Sequence, residues 1–437
     1  MIARRHVLAA GAAGSAALAL AACGGDSGGS GSGGSGSGGG VDGEGKTLTM
    51  WLMEGTNASA DTYIEELKAA FTEATGATLD VQVQPWEGAH DKLVTAMAGG
   101  TGPDVAEVGT TWVPEFADAG GLDVLTEDIE AAGLTEGLVQ GLVDAGTLDG
   151  EMYGMPWYAG VRSILGNREM LEEAGVNAQP QSWDELLTMI TTLEEHNPDW
   201  ISFPVPGASI FSATPFIWGA GGEIAEEADG TWTATVNSPE AVEGLTWYTD
   251  LALKHNSSTA AASTWVETEA LAEFLQEKVP MFITGSWVPA TIRADNPELA
   301  EKLVAFTIPA KDSPVAPSFL GGSLMCRFLE TEEPELSFEL IKLVTTGEFA
   351  TRWAEETNYF PGTIEGMDEV VAAGDELTTV FAQQMTEGGK TVPVTPAWGK
   401  IEGAKTMTTL VGTILEGTSV QDAADTAAAE MDGFFSE

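Results

Sequence analysis

Basic residues are scarce in this chain: 18 Lys and Arg stand against 67 Asp and Glu in 437 residues, a formal net charge of −49. That deficit excludes nucleic acid as a partner, because phosphate binding needs a basic face. Cysteine is scarcer still, with only Cys23 and Cys326, too few for a disulfide framework or a four-cysteine zinc site. Of the 4 histidines, His6 lies near the N-terminus and His90, His196 and His255 are scattered singly, so neither a catalytic transition metal nor a cofactor is expected. The acidity is not a mark of disorder. Hydrophobic residues make up 43% of the chain, with 13 Trp and 16 Phe, enough for a real core.

The first 23 residues read as an export signal, with Arg4 and Arg5 ahead of an uncharged apolar run from Val7 to Ala22 that is short for a membrane span. The run closes in Leu20-Ala21-Ala22-Cys23, which resembles a lipobox, so Cys23 is the expected lipidation site and the outer face of the cell membrane the expected location. The Arg pair suits twin-arginine and general secretion alike. Residues 24–45 are almost wholly Gly and Ser. They match phosphate-loop glycine patterns only through low complexity and are read as a flexible tether, on the order of 25 Å in root-mean-square span.

From Thr47 the pattern alternates strand and helix. Thr47 to Met53 reads as a strand, and Asp61 to Thr75 as a helix with Tyr63, Ile64, Leu67 and Phe71 on one face. Leu79 to Val83, His90 to Ala98 and Val105 to Val108 follow as strand, helix and short buried strand, the signature of an α/β protein. Ser182 with Glu185 forms a capping box, and Ser238-Pro239 opens a helix running to Lys254. The length beyond the tether exceeds one usual core and argues for two lobes, with a boundary at a break such as Gly154-Met155-Pro156.

Several segments together resemble the extracellular solute-binding proteins of bacterial ABC importers, in the branch that binds oligosaccharides. They are Thr101-Gly102-Pro103-Asp104-Val105, Gly150 to Pro156, Glu173-Ala174-Gly175-Val176 leading into Ser182 to Leu186, Val279 to Trp287, and Gly321-Gly322-Ser323. Pro85-Trp86-Glu87 and Tyr158-Ala159-Gly160-Val161-Arg162 are similar to diacetylchitobiose-type binding proteins. Thr110 and Leu324 depart from that pattern where sugar hydroxyls would be read. The resemblance implies a two-lobed, periplasmic-binding-protein-like (type II) α/β fold with a hinge and an interlobe cleft. Lobe one would comprise residues 46–155 and 284–358, and lobe two residues 156–283 and 359–437. It further implies an oligosaccharide ligand, chitobiose or a related sugar, delivery to the transmembrane subunits of an ABC permease, and a monomer.

A sugar ring has apolar C–H faces and a rim of hydroxyls, so its cleft needs aromatic platforms with fixed donors and acceptors. Trp183, Trp247 and Trp353 fall in helical patterns and are read as core, whereas Trp51, Trp200, Trp232 and Trp265 are left undecided. Trp86, Trp112, Trp157, Trp218, Trp287 and Trp398 lie beside Gly, Pro or strand ends and are the candidate platforms, with Tyr158 beside them. The candidate polar partners are Glu54, Glu107, Arg162 and Ser323, with Arg162 forking to ligand or pairing with a carboxylate such as Glu107. Cys326 is read as a buried apolar side chain. Two other readings stand beside this one: a secreted glycoside hydrolase, for which 67 acidic residues always supply a carboxylate pair, and the same fold binding a non-sugar solute. Beyond the Gly/Ser tract no G-x-S-x-G elbow, H-E-x-x-H helix or phosphate-loop lysine motif occurs, so no enzyme is expected. The acidity itself is read as a highly solvated surface rather than an activity.

Overall fold

The computed structural model describes residues 41–437 except 55, 56 and 58. The expected signal peptide, Cys23 and residues 24–40 of the expected tether lie outside the described residues. Residues 41–45 belong to the body, since Val41 packs on a core cluster and the Gly43 amide donates to Thr75 O at 2.9 Å. Lys46 pairs with Glu333 at 2.6 Å, and Thr47 opens a strand. A phosphate loop would lead into a helix instead.

The alternation read from the sequence is present. β1 (Thr47–Met53) is followed by α1 (Ala60–Thr75), which buries Tyr63, Ile64, Leu67 and Phe71 on one stripe. β2 (Thr78–Gln84), α2 (Ala89–Gly99), β3 (Val105–Gly109) and the short α3 (Val113–Asp118) continue the pattern. Next comes β4 (Met155–Asn167), a strand buried along its whole length. α4 (Trp183–His196) opens on Ser182, whose Oγ accepts from the Glu185 amide at 3.4 Å, and α5 (Ile210–Gly219) is buried on nearly all sides. α6 (Pro239–Leu253) has the Ser238 cap and first-turn proline expected of it. α7 (Glu267–Phe274), β5 (Met281–Gly285), β6 (Leu303–Phe306), β7 (Ser318–Arg327), β8 (Phe360–Pro361) and β9 (Gly389–Lys390) complete the strands that matter here. Near the C-terminus α8 (Trp398–Gly403) leads to α9 (Thr406–Leu415) and α10 (Val420–Phe435).

These strands form a 9-stranded mixed sheet with the order β6-β4-β7-β3-β1-β2, in which β5 and β8 also pair with β4 and β9 with β7. β1 runs parallel to β2 and β3, whereas β7 is antiparallel to both β3 and β4. β4 serves two ladders. Its first half, Met155 to Val161, pairs with β7, and its second half, Arg162 to Asn167, pairs with β5 and β6.

The molecule is a two-lobed α/β protein with several apolar clusters. One gathers Leu186, Ile190, Phe216, Leu245, Tyr248 and Val411 around α4, α5, α6 and α9. Another gathers Leu48, Met50, Tyr63, Leu67, Ile341 and Trp353 beside β1 and α1. A third, with Val161, Leu165, Phe282 and Leu320, runs along the middle of β4 and β7. Burial of this kind is worth roughly 25 cal/mol per Å² of apolar surface. Val304, Phe306, Ile308 and Ala316 pack in the first of these clusters.

Candidate functional site

The alternation of side chains along a strand decides which residues reach the cleft. On β4, Tyr158, Gly160 and Arg162 share one side, and Tyr158 and Arg162 line a cavity of about 380 Å³. Its wall also includes Trp86, Trp112, Trp287, Phe211, Phe319 and Tyr359, with Thr110, Thr111 and Ser323 as hydroxyls. A second chamber of about 280 Å³ shares Arg162, Phe211 and Glu402 with the first and adds Trp398, Ile210, Ser209, Glu267 and Lys405. The resulting cleft combines flat rings with hydroxyls and charged groups.

Trp287 begins the turn after β5 and stacks on Tyr359 with centroids 4.9 Å apart and planes 14° from parallel. The indole can lie there because two of its neighbours, Gly285 and Gly160, have no side chain. A Cβ at Gly285 would collide with the Trp287 ring, and one at Gly160 would meet Tyr359 at 2.7 Å and Trp287 at 3.0 Å. On the opposite wall Trp86 and Trp112 meet edge to face at 5.8 Å, and Trp86 is 38% exposed, presenting its ring to the opening.

Arg162 is buried among these rings. Its guanidinium lies 4.5 Å from the Phe211 centroid, 4.9 Å from Trp287 and 5.2 Å from Phe319. Nε and Nη2 donate to the Glu267 carboxylate at 3.2 and 3.4 Å. Its fork therefore pairs with Glu267, at the start of α7, rather than with Glu107. Ser209 Oγ donates to the same Glu267 carboxylate at 3.2 Å.

Glu107 lies behind the wall, wholly buried on β3. Its Oε1 accepts from Tyr158 Oη at 2.5 Å and Ser323 Oγ at 2.8 Å, while Oε2 accepts from the Met53 amide at 2.8 Å. Burial pushes its carboxyl up to about 7, against the opposing pull of these three hydrogen bonds. Burial also raises the Tyr158 and Tyr359 hydroxyls well above the usual phenol range.

α8 comes close to α3. A Cβ on Gly399 would run into the Glu115 carboxylate of α3, and Glu115 bonds His90 Nε2 at 2.8 Å. That hydrogen bond raises the His90 pKa against the effect of burial. Glu402, one turn along α8, is exposed overall, yet local desolvation is the first cause that raises its carboxyl, with Thr111, His90 and Trp112 pulling it back and Glu115 pushing it up.

Of the residues singled out from sequence, Trp86, Trp112, Tyr158, Arg162, Trp287, Ser323 and Trp398 line the two chambers. Four do not. Glu107 stands one layer back. Trp157 points to the other side of β4, 1% exposed, against Trp353 at 4.5 Å. Trp218 is buried in the α5 core, with Lys390 Nζ 5.2 Å over its ring. Glu54 is exposed at the end of β1, its amide bonded to Gln84 O at 2.7 Å. Phe211, Phe319, Tyr359, Glu267 and Glu402 were not anticipated. Trp183 and Trp353 are core, Trp51 is too, and Cys326 is fully buried with its thiol pushed up by desolvation. Among the described residues no group of side chains is arranged to hold a metal ion, and no helix is long and apolar enough to cross a membrane.

The sequence pattern of the family described as bacterial extracellular solute-binding protein matches residues 55–345. A diacetylchitobiose binding protein of Streptomyces coelicolor is 28% identical over 432 residues, 96% of each chain. An arabinooligosaccharide-binding protein of Halalkalibacterium halodurans is 22% identical over 276 residues, covering 62% of this chain and 61% of the relative. Among solved structures, an ABC transporter solute-binding protein from Thermotoga lettingae bound with alpha-D-tagatose superposes with a TM-score of 0.78. It is 27% identical and covers 89% of this chain and 100% of that one. The sugar-binding protein MalE from Xanthomonas citri gives a TM-score of 0.78 at 21% identity, covering 90% and 98%. These likenesses place the fold among the type II periplasmic sugar-binding proteins.

Proposed function

Because the chain belongs to the bacterial extracellular solute-binding proteins, we propose that it binds an oligosaccharide between its lobes and hands it intact to an ABC permease. The observation that carries this reading is the cavity itself, in which Trp86, Trp112, Trp287 and Tyr359 face a space of about 380 Å³ beside threonine and serine hydroxyls. Indole and phenol faces stack on the C–H faces of sugar rings, and the hydroxyls read the rim. The second chamber, joined through Arg162, Phe211 and Glu402, supports a ligand of more than one ring. With its fork edge on Glu267, Arg162 has Nη1 left to reach the ligand.

Chitobiose or a related β-linked sugar is the first candidate, supported by the relative from Streptomyces coelicolor. The ligand bridges both lobes only when they close, so it shifts the open and closed populations without any bond being made or broken. Lobe one then spans 46–155 and 284–358 and lobe two 156–283 and 359–437, with residues 304–316 packed on lobe two and the long strands β4 and β7 as the connection. Lipidation at Cys23 would hold the monomer on the outer face of the membrane beside the permease.

A thermal-shift screen over mono- and disaccharides, polyols and peptides tests the reading. A sugar at 100 times its dissociation constant stabilises by about 2.7 kcal/mol. If another solute class shifted the transition and sugars did not, the substrate assignment would fall. Sustained release of reducing ends from β-linked sugars would replace the receptor by a hydrolase.

A further inference from the structure

When its carboxyl is ionised, Glu107 can only accept, so every hydrogen bond to it spends a partner's hydrogen. Oε2 takes the Met53 amide, and Oε1 takes hydroxyls from Tyr158 and Ser323. Each hydroxyl carries one hydrogen, so both are spent behind the wall. The 3.0 Å contact between Ser323 Oγ and Tyr158 Oη offers Ser323 an alternative target, which spends the same hydrogen within the protein. Tyr158 and Ser323 themselves line the cavity. We propose that Glu107 is a positioning residue for ligand recognition: it holds the hydrogens of Tyr158 and Ser323 inward, so the wall meets a saccharide with lone pairs that accept from sugar hydroxyls.

Protonation reverses this polarity. The Met53 amide occupies Oε2, so the acid proton sits on Oε1 and donates to one of the two hydroxyls, whose own hydrogen is then released. The wall gains a donor and loses an acceptor. Burial sets this change near neutrality.

Four elements face the group. β1 presents the Met53 amide, β4 presents Tyr158 and, further along, Arg162 paired with Glu267 of α7, and β7 presents Ser323. Tyr359, ahead of β8, lies against Tyr158 with centroids 4.5 Å apart. Arg162 lowers the Tyr359 pKa, while Glu107 and Glu267 raise it. Glu107 itself titrates against burial and three neutral donors.

Glu107→Gln separates the possibilities. With its carbonyl kept on the Met53 amide, the glutamine NH₂ donates to Tyr158 and Ser323 and frees both of their hydrogens at every pH, one more than the protonated acid frees. The role argued for Glu107 rests on the saccharide reading, so the test has one arm with sugar and one without.

In the sugar arm, titration calorimetry with N,N′-diacetylchitobiose and with cellobiose is run between pH 6 and 8 in buffers of different ionisation enthalpy. The expected results are proton release on binding and an affinity that rises roughly fivefold with pH, about the size of one net hydrogen bond. Glu107→Gln should bind at the weaker level throughout, with heats independent of buffer. Proton uptake, or a pH step that survives in Glu107→Gln, overturns the proposal.

In the sugar-free arm, infrared spectra should show a protonated-carboxyl C=O stretch disappearing between pH 6 and 8. The Tyr158 Cζ resonance, assigned by its loss in Tyr158→Phe, should move with the same midpoint. A carboxyl that does not titrate, or a Tyr158 resonance that ignores it, also overturns the proposal. Apart from the Tyr158→Phe control used for assignment, this arm uses the native chain and stands even if Glu107→Gln fails to fold. Joint titration of the two signals without any saccharide heat would support the positioning role and sink the saccharide reading instead.

Discussion

Replacing Arg162 with methionine removes a charge while keeping an apolar stem of similar reach. The side chain is 9% exposed and its partner Glu267 17%, so the substitution strands a carboxylate that water reaches poorly. Breaking a buried ion pair from one side costs about 3–5 kcal/mol. The cation also lies within 5.2 Å of three ring centroids, each contact worth about 0.5–1 kcal/mol, of which sulfur against the same rings returns a part. A net loss of about 4 kcal/mol is expected. With an unfolding entropy of about 0.8 kcal/mol/K for roughly 400 ordered residues, the melting temperature should fall by about 5 °C. Scanning calorimetry on ligand-free protein measures this directly. Glu267→Gln alone should also destabilise, and the double variant Arg162→Met/Glu267→Gln should recover at least about 2 kcal/mol relative to the sum of the single changes. A single-variant drop below about 1 °C, or plain additivity in the double variant, would refute the claim that the pair is a desolvated unit.

The remaining predictions concern the same cleft. Trp287→Ala should weaken saccharide binding by at least about 1 kcal/mol in calorimetry, whereas Trp157→Phe, on the other side of the strand, should leave the dissociation constant within about twofold. An unchanged affinity for Trp287→Ala would remove the indole from the list of ligand contacts. Gly285→Ala should push the Trp287 ring from its stack on Tyr359 and reduce affinity nearly as far, with altered tryptophan fluorescence. A normal spectrum and normal affinity would show that the ring has room the structure does not display. Glu107 carries a folded-state pKa of about 7 against an ordinary value of 4.5, so the folded form binds its proton more tightly than the unfolded one. Its contribution is complete below pH 4.5 and is lost as pH rises to about 7, a fall of about 3 kcal/mol. Urea unfolding of Glu107→Gln should lack that slope, and an identical slope in both proteins would assign it elsewhere.

Local pattern was the legible part of the fold. α1 and β2 are longer than expected by a residue or two, and the Ser182 and Ser238 caps stand where their spacing put them. These features depend on neighbours within four residues, which a sequence displays. The pairing of β7 between β3 and β4 joins segments more than 150 residues apart, and nothing local marks it. The partner of Arg162 was hidden for the same reason, since Glu267 lies 105 residues away among 67 acidic residues. Trp157 and Tyr158 differ. They are adjacent in a strand, so strict alternation already places them on opposite faces, and reading that period would have kept only one of them in the cleft. Glu402 carried no signal at all, being one more carboxylate on a short helix until α8 is seen against α3.

The missing side chains beneath Trp287 limit how this protein can change its taste in ligands. Enlarging position 285 or 160 by one methyl displaces a ring already stacked on Tyr359 and close to Arg162. A relative with alanine at either place must therefore carry a smaller residue opposite it. New specificities are reached by editing the rim, where Trp86 is 38% exposed, while the floor drifts only by paired substitutions.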